Sequence, residues 1–173
     1  EVFKALKAKI PECKLVIVPR HQTCVEAFEK ILLKQKLNYI KKSLITNNSA
    51  YQNNDIILGD TMGEMSFYFG LSDLVFMGGS FVPIGGHNPL EPAYFSIPTI
   101  TGPYYHNFKD QFSALITKGG AFEVKNQEDF INKSLNLLTS PDKIKSSGEK
   151  ALEILNLGRG STDKILKEIE GDL

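Results

Sequence analysis

One stretch of the chain, residues 77–92, holds most of the side chains that could do chemistry. Four glycines and three prolines there surround single copies of four polar residues, Ser80, His87, Asn88 and Glu91. Glycine lets the backbone come close to a ligand, and the polar side chains can donate or accept hydrogen bonds. The stretch is therefore typical of a binding loop, and a glycine-rich turn without a ligand is the alternative interpretation.

The stretch is predicted to connect a strand to a helix. An apolar run at 73–77 precedes it, and the prolines at 89 and 92 stand where the first turn of a helix tolerates them. The unpaired N–H groups at the start of such a helix, with the glycines before it, favour an anion such as a phosphate.

Two further loops carry candidate residues. Pro19, Arg20 and His21 follow the apolar run 14–18, and Met62, Gly63 and Glu64 follow the run 55–58. Arg20 is one of only two arginines among 20 basic residues, and a guanidinium suits phosphate or carboxylate. Glu64 stands near the start of a predicted helix, where helix capping and ligand contact are both open roles.

The elements that position these loops follow from six predicted strands, most of them short apolar runs, at 14–18, 37–41, 55–58, 73–77, 97–101 and 121–124. Continuously apolar runs separated by helical segments are typical of strands buried on both faces of a parallel sheet. The predicted fold class is α/β, a doubly wound parallel sheet of the Rossmann-like type. Such sheets bind ligands at the carboxyl ends of their strands, so the candidate loops are expected to form one crevice.

Three local predictions concern the helices and loops alone. Thr23 is predicted to cap the helix that follows it, with Glu26 three residues on. The glycines at 158 and 160 are predicted to interrupt the last helical segment. The polar stretch 43–54 is predicted to be an exposed loop without a function.

Composition excludes several classes of protein. The net charge is zero and the isoelectric point is 7.1, so nucleic acid is not an expected partner. The two cysteines, Cys13 and Cys24, lack metal-ligand spacing, and no metal site is expected. No apolar run approaches the roughly 20 residues of a membrane helix. The piece is therefore expected to be soluble, and 173 residues suit a single domain.

A nucleotide is the ligand that fits the candidate residues best. Gly79 and Ser80 are suited to phosphate, Arg20 to phosphate or carboxylate, and Glu91 to ribose hydroxyls. The dinucleotide-binding and P-loop glycine patterns are both missing, which argues against hydride transfer and P-loop hydrolysis. No cofactor is predicted apart from the nucleotide substrate itself.

Three motifs carry a resemblance to a known family: Pro19-Arg-His21, Asp60-Thr-Met-Gly-Glu64 and Gly78-Gly-Ser-Phe-Val-Pro-Ile-Gly-Gly-His-Asn-Pro-Leu-Glu-Pro-Ala93. With Gly102-Pro103 and Asn107-Phe108, they make the sequence similar, nearly end to end, to the 3-deoxy-D-manno-octulosonic acid (Kdo) transferases, the lipid A glycosyltransferases. The resemblance implies the C-terminal half of an inverting, two-domain GT-B enzyme. Residues 1–173 would then be a single donor-nucleotide-binding domain, with the N-terminal acceptor domain absent.

The resemblance also implies substrates and a location. The donor would be CMP-Kdo, and the acceptor a lipid A precursor, bound through the missing N-terminal domain at the cytoplasmic face of the bacterial inner membrane. The residues that match the segments holding CMP are Pro19, Arg20, Met62, Gly63, Glu64, Asn88, Pro89, Leu90 and Glu91. Those expected near the phosphate or the sugar are His21, Gly79, Ser80 and His87.

The implied chemistry is departure of CMP from the anomeric carbon of Kdo. Charge then develops on the phosphate, and Arg20 with the helix start after Gly86 is expected to stabilise it. The general base is implied to lie in the N-terminal domain, so this chain alone is expected to contain no catalytic base and to transfer nothing.

Two rival interpretations remain open. The chain could belong to another GT-B transferase or an epimerase that uses a UDP-sugar. It could instead be a non-catalytic module that binds a nucleotide for regulation or docks a partner protein.

Overall fold

The computed structural model describes residues 1–46 and 52–171, and from residue 159 onwards it describes the backbone only. The chain divides into two compact units, Glu1–Tyr68 and Phe69–Leu173. Each unit contains its own three-stranded sheet. The interpretation of residues 1–173 as one donor-binding domain stays a prediction.

The first unit is built around a parallel sheet with the strand order β1-β3-β2. Its elements in chain order are helix α1 (Val2–Lys9), strand β1 (Leu15–Ile17), helix α2 (Val25–Lys34), strand β2 (Tyr39–Lys41) and strand β3 (Ile56–Leu58). Helix α3 (Met65–Gly70) begins in this unit. The central strand β3 pairs Ile56 with both Leu15 and Tyr39.

The core of the first unit explains why β3 is central. Ile56 and Leu58 are completely buried, and Val25 and Leu32 of α2 pack against them. A strand with neighbours on both edges and side chains covered on both faces needs the unbroken apolar run that its sequence has.

The second unit has a parallel sheet with the order β4-β5-β6. Its elements are β4 (Val75–Phe76), helix α4 (Leu90–Tyr94), β5 (Thr99–Thr101), helix α5 (Lys109–Lys118), β6 (Ala121–Glu123), helix α6 (Gln127–Leu138) and helix α7 (Pro141–Gly171). Two buried clusters fill the unit, one around Phe112 and Leu115 and the other around Ile100 and Leu137.

The α/β class and the parallel pairing are confirmed, and all six predicted strands are present. The hydrogen-bonded strands form two sheets, where the sequence pattern alone suggested one. Within the described ranges, no helix is both long and apolar enough to cross a membrane. Part of the predicted polar loop, residues 47–51, lies outside the described residues.

Two local predictions are wrong. Thr23 does not cap α2, because it lies in a 3-10 turn (Gln22–Cys24), and α2 begins only at Val25 without a side-chain cap. The glycines at 158 and 160 do not interrupt the last helix, because α7 continues to Gly171. An isolated glycine in a helix costs only about 1 kcal/mol, which neighbouring residues can offset.

Candidate functional site

The candidate residues of the first unit lie at one edge of its sheet. Since β1, β2 and β3 are parallel, the loops that follow them meet at the carboxyl end of the sheet. These loops carry Pro19 to Gln22, Lys42 to Leu44, and Gly59 to Glu64. The sequence pattern correctly placed the first and third of them together.

Arg20 and His21 are both exposed in the loop after β1. His21 has an extended backbone, with φ −120° and ψ 136°, and its carbonyl accepts the N–H of Cys24 at 2.9 Å to begin the 3-10 turn. Among the described residues of its unit, Arg20 has no ion-pair partner. Its guanidinium therefore remains open to an anion.

The loop after β3 is held from two sides. Ser43 donates from its N–H to Asp60 Oδ1 at 2.9 Å and from Oγ to Oδ2 at 2.5 Å. From the other side, Gln22 Nε2 donates to the Asp60 carbonyl at 2.5 Å. Burial is the largest single influence on the Asp60 carboxyl and raises its pKa, but the hydrogen bonds it accepts, chiefly from Ser43, and the nearby Lys41 charge together hold the pKa below its usual value.

Met62, Gly63 and Glu64 project from this tethered loop. The Met62 side chain is 74% exposed, and Gly63 has a φ of +78°. Glu64 is fixed through both carboxylate oxygens: Thr61 Oγ1 donates to Oε2, and Lys42 Nζ lies 3.3 Å from Oε1. The Thr61 hydrogen bond, followed by Lys42, lowers the Glu64 pKa, so the group is an anion at neutral pH.

In the second unit, the loop after β4 is built around Ser80. Its hydroxyl is completely buried, donates to the Met77 carbonyl at 2.6 Å and accepts the Gly102 N–H at 2.8 Å. Gly102 must be glycine, because a Cβ there would lie 2.7 Å from the Ser80 carbonyl carbon. The Ser80 hydroxyl therefore already has two partners within the protein, and its predicted place near a phosphate stays a prediction.

Two consecutive glycines bend the loop towards the segment after β5. Gly85 and Gly86 have φ values of +99° and +72°, which favour glycine. A Cβ on Gly85 would lie 2.5 Å from Asn107 Cγ. This close approach lets the Asn107 side-chain amide donate a hydrogen bond to the Ile84 carbonyl at 3.1 Å. Asn107 thus holds the loop in its bent shape.

The end of the loop presents His87 to Glu91. Asn88 Oδ1 accepts the Leu90 N–H at 3.1 Å and so fixes the turn that leads into α4, whose N-cap residue is Pro89. Pro89 is buried, whereas His87 and Leu90 are half-buried. Glu91 is exposed in the first turn of α4.

Helix α4, the predicted helix after the glycine-rich loop, is short. It contains five residues, Leu90–Tyr94, and ends at Phe95. The anion-binding role predicted for this helix start stays a prediction, since a helix this short still has the unpaired N–H groups of its first turn. The glycine-rich loop before it also offers main-chain N–H groups, including that of Gly79, which has a φ of +73°.

Aromatic stacking anchors the tip of the glycine-rich loop. The Phe81 ring lies 5.4 Å from that of Phe76 in β4, which itself stacks on Phe130 of α6 at 4.5 Å. Phe81 nevertheless remains 37% exposed. The loop is thus pinned by Phe81, Ser80 and Asn107, and the three residues that follow Phe81, at 82–84, are exposed.

The structure divides the predicted site residues between the two units, with six of them in the first and eight in the second. The single crevice stays a prediction.

Four residues that hold the loops were not predicted from the sequence: Gln22, Lys42, Ser43 and Asn107. Lys42 and Ser43 directly follow a predicted strand of the parallel sheet. The expectation that ligands bind at the carboxyl ends of such strands, which identified the other loops, could therefore have identified these two residues as well. In the described part of the chain, no three metal-ligating side chains are grouped to hold a metal ion.

Two curated relatives of this chain, from different organisms, have the same name. The chain is 38% identical over 164 residues to a 3-deoxy-D-manno-octulosonic acid transferase of Haemophilus influenzae, covering 94% of this chain and 38% of that protein. It is 37% identical over 154 residues to the enzyme of the same name from Aquifex aeolicus, covering 89% of this chain and 41% of that protein. The chain thus spans about two fifths of the length of these curated relatives. No protein-family model matches the sequence.

A solved structure is similar over most of its length. It is the crystal structure of the C-terminal CMP-Kdo binding domain of WaaA from Acinetobacter baumannii. The superposition has a TM-score of 0.79 at 26% identity and covers 90% of this chain and 81% of that one.

Proposed function

We propose that this chain, which belongs to the family of the 3-deoxy-D-manno-octulosonic acid transferases, binds CMP-Kdo as the sugar donor of a glycosyltransferase. The observation that carries the proposal is the similarity of fold, over 90% of the chain, to a domain that binds this donor. The proposed reaction is transfer of Kdo to a lipid A precursor in lipopolysaccharide biosynthesis.

The charges of the first unit support donor binding. Arg20 offers a guanidinium without an ion-pair partner in its unit to the CMP phosphate. When the bond between the anomeric carbon and the phosphate breaks, the bonding electrons stay with the phosphate, and a fixed cation stabilises the added charge. His21 is proposed to lie beside the same phosphate or the sugar, and Pro19 stiffens the turn that presents both.

Two carboxylates are proposed to hold the nucleoside. Glu64 is anionic and held in one orientation by Thr61 and Lys42, with Met62 and Gly63 beside it. Glu91 is exposed at the start of α4, where a ribose hydroxyl can donate to it. Asn88 fixes the backbone that carries Glu91, and the loop at Gly79, Gly86 and His87 is proposed to meet the phosphate or sugar.

The remaining steps are assigned to parts of the relatives that this chain does not match. The acceptor hydroxyl has to lose a proton to a general base. We propose that the base and the acceptor site belong to an N-terminal domain of a GT-B enzyme, that transfer inverts the anomeric configuration, and that the whole enzyme acts at the cytoplasmic face of the inner membrane. The 173-residue chain would then bind donor without transferring sugar.

The proposal is tested by calorimetric titration of the chain with CMP, UMP and UDP. CMP is expected to bind most tightly, and UDP binding without CMP binding would contradict the proposed donor. Arg20→Ala and Glu91→Ala should each weaken CMP binding by about 1 to 3 kcal/mol, the scale of a charge-assisted hydrogen bond. The exposed Lys30→Ala and Glu12→Ala serve as charge-matched controls and should leave the affinity unchanged.

A further inference from the structure

Lys42 lies beside a carboxylate that the proposed function uses, although it stands outside the three stretches that carry the family resemblance. It is the first residue after β2 and begins a 3-10 turn, Lys42–Leu44. Its Nζ lies 3.3 Å from Glu64 Oε1 and 4.8 Å from the centre of the Phe67 ring. Only 17% of the side chain is exposed, so the ammonium group is confined between a carboxylate and an aromatic face.

The same turn also tethers the loop that carries Glu64. Ser43, the next residue, binds both carboxylate oxygens of Asp60, four residues before Glu64. The turn after β2 therefore holds the loop after β3 at its beginning through Ser43 and at its end through Lys42. The second oxygen of Glu64 is taken by Thr61, which leaves the carboxylate little rotational freedom.

We propose that Lys42 is a positioning residue for the donor: it holds the Glu64 carboxylate in the orientation that meets the nucleotide. This inference rests on the proposed function, because it assigns Lys42 an effect on CMP binding that passes through Glu64. A carboxylate that is already oriented loses less conformational freedom when a ligand binds. The Lys42 ammonium supplies that orientation without touching the nucleotide itself.

The neighbouring residue Lys41 provides a matched control. Its Nζ forms an ion pair with Glu29 at 2.8 Å, and its side chain is 30% exposed. Lys41 therefore has the same charge, the adjacent position and an equivalent carboxylate partner, but that partner is not a proposed ligand residue. Partly exposed ion pairs contribute little to folding, so neither lysine is expected to decide the stability of the unit.

The experiment is CMP titration by calorimetry on the full 173-residue chain and its variants. Lys42→Met should weaken CMP binding about tenfold, a change that lies within the range of interaction energies measured between contacting residues. Lys42→Arg should restore binding to within about threefold, because it keeps the charge. Lys41→Met should bind as the unaltered chain does, and the urea midpoints of all three variants should stay close to that of the unaltered chain.

A double-mutant cycle separates positioning from a direct contact. If Lys42 acts through Glu64, adding Lys42→Met to Glu64→Gln should cause little further loss of affinity. Additive losses would overturn the inference, as would unchanged CMP binding by Lys42→Met. If Lys42→Met does not fold, the CMP affinities of Lys42→Arg, which keeps the charge, and Lys42→Gln, which removes it, are compared instead. Equal affinities of these two variants would refute the role of the charge. Failure of the unaltered chain to bind CMP would refute the proposed function itself, a result distinct from all of these.

Discussion

Polar side chains at the two sheet edges fall into two groups according to what they already bind. Ser80, Asp60 and Glu64 have their oxygens bonded within the protein. Arg20 and Glu91 are exposed. The bonds of Ser80 and Asp60 shape the loops, and the exposed Arg20 and Glu91 face solvent. Glu64 belongs to both descriptions, because a carboxylate whose two oxygens each have one partner still has lone pairs for the proposed nucleoside contact.

Replacing Ser80 by alanine should affect stability. Ser80→Ala leaves the buried Gly102 N–H without its acceptor, which costs about 1 to 3 kcal/mol of unfolding free energy. Urea unfolding measures this loss, and the exposed Ser113→Ala should stay within about 0.5 kcal/mol of the unaltered chain. A loss of CMP affinity with unchanged stability would instead place the hydroxyl against the ligand.

At the scale of elements, helix α7 packs unusually closely on the segment that follows α4. A Cβ on Gly148 would overlap the Ser96 carbonyl oxygen and lie 2.7 Å from its carbon. Ser96 itself has a positive φ of 57°, so its backbone is already in the left-handed region. The close approach therefore depends on glycine at one position of a long helix.

Gly148→Ala should destabilise the second unit. Overpacking that displaces backbone costs typically about 1 to 3 kcal/mol, which exceeds the gain in helix propensity of about 1 kcal/mol. Thermal unfolding measures the difference. Gly158→Ala is the control in the same helix, because nothing lies within 4 Å of its Cβ position, and it should leave stability unchanged or raise it. A stabilising Gly148→Ala would show that the observed packing is wrong.

At the scale of the whole molecule, the described residues supply two sheet edges, each with loops held by hydrogen bonds. The chain matches only 38% of the length of its Haemophilus influenzae relative. The proposed donor binding and the proposed sugar transfer are therefore assigned to different parts of one enzyme. An assay of the chain alone tests this division.

Incubation of the purified chain with CMP-Kdo and a lipid A precursor should release no CMP above the rate without protein, because no general base is proposed within the chain. CMP release and mass spectrometry of the lipid give the measurement. The Haemophilus influenzae relative, assayed under the same conditions, is the positive control. Kdo transfer by the 173-residue chain would contradict the proposed division of roles.

The sequence by itself determined the α/β class and the loops that carry the candidate residues. The apolar run at 56–58 predicts a strand covered on both faces, and all three of its residues are buried as expected. The parallel arrangement then places the following loops at one edge in each unit. These features depend on local patterns, which one chain displays directly.

Only the tertiary structure decided which of those polar groups are already used. The Ser80 hydroxyl bonds to Gly102, 22 residues away, and Lys42 lies against Glu64 from a different strand. Such partners depend on the order of the strands in the sheet and on how far each loop folds back. Neither can be predicted from the local sequence. The length of α4 was decided in the same way, because its helix-compatible sequence ends where the chain turns into β5.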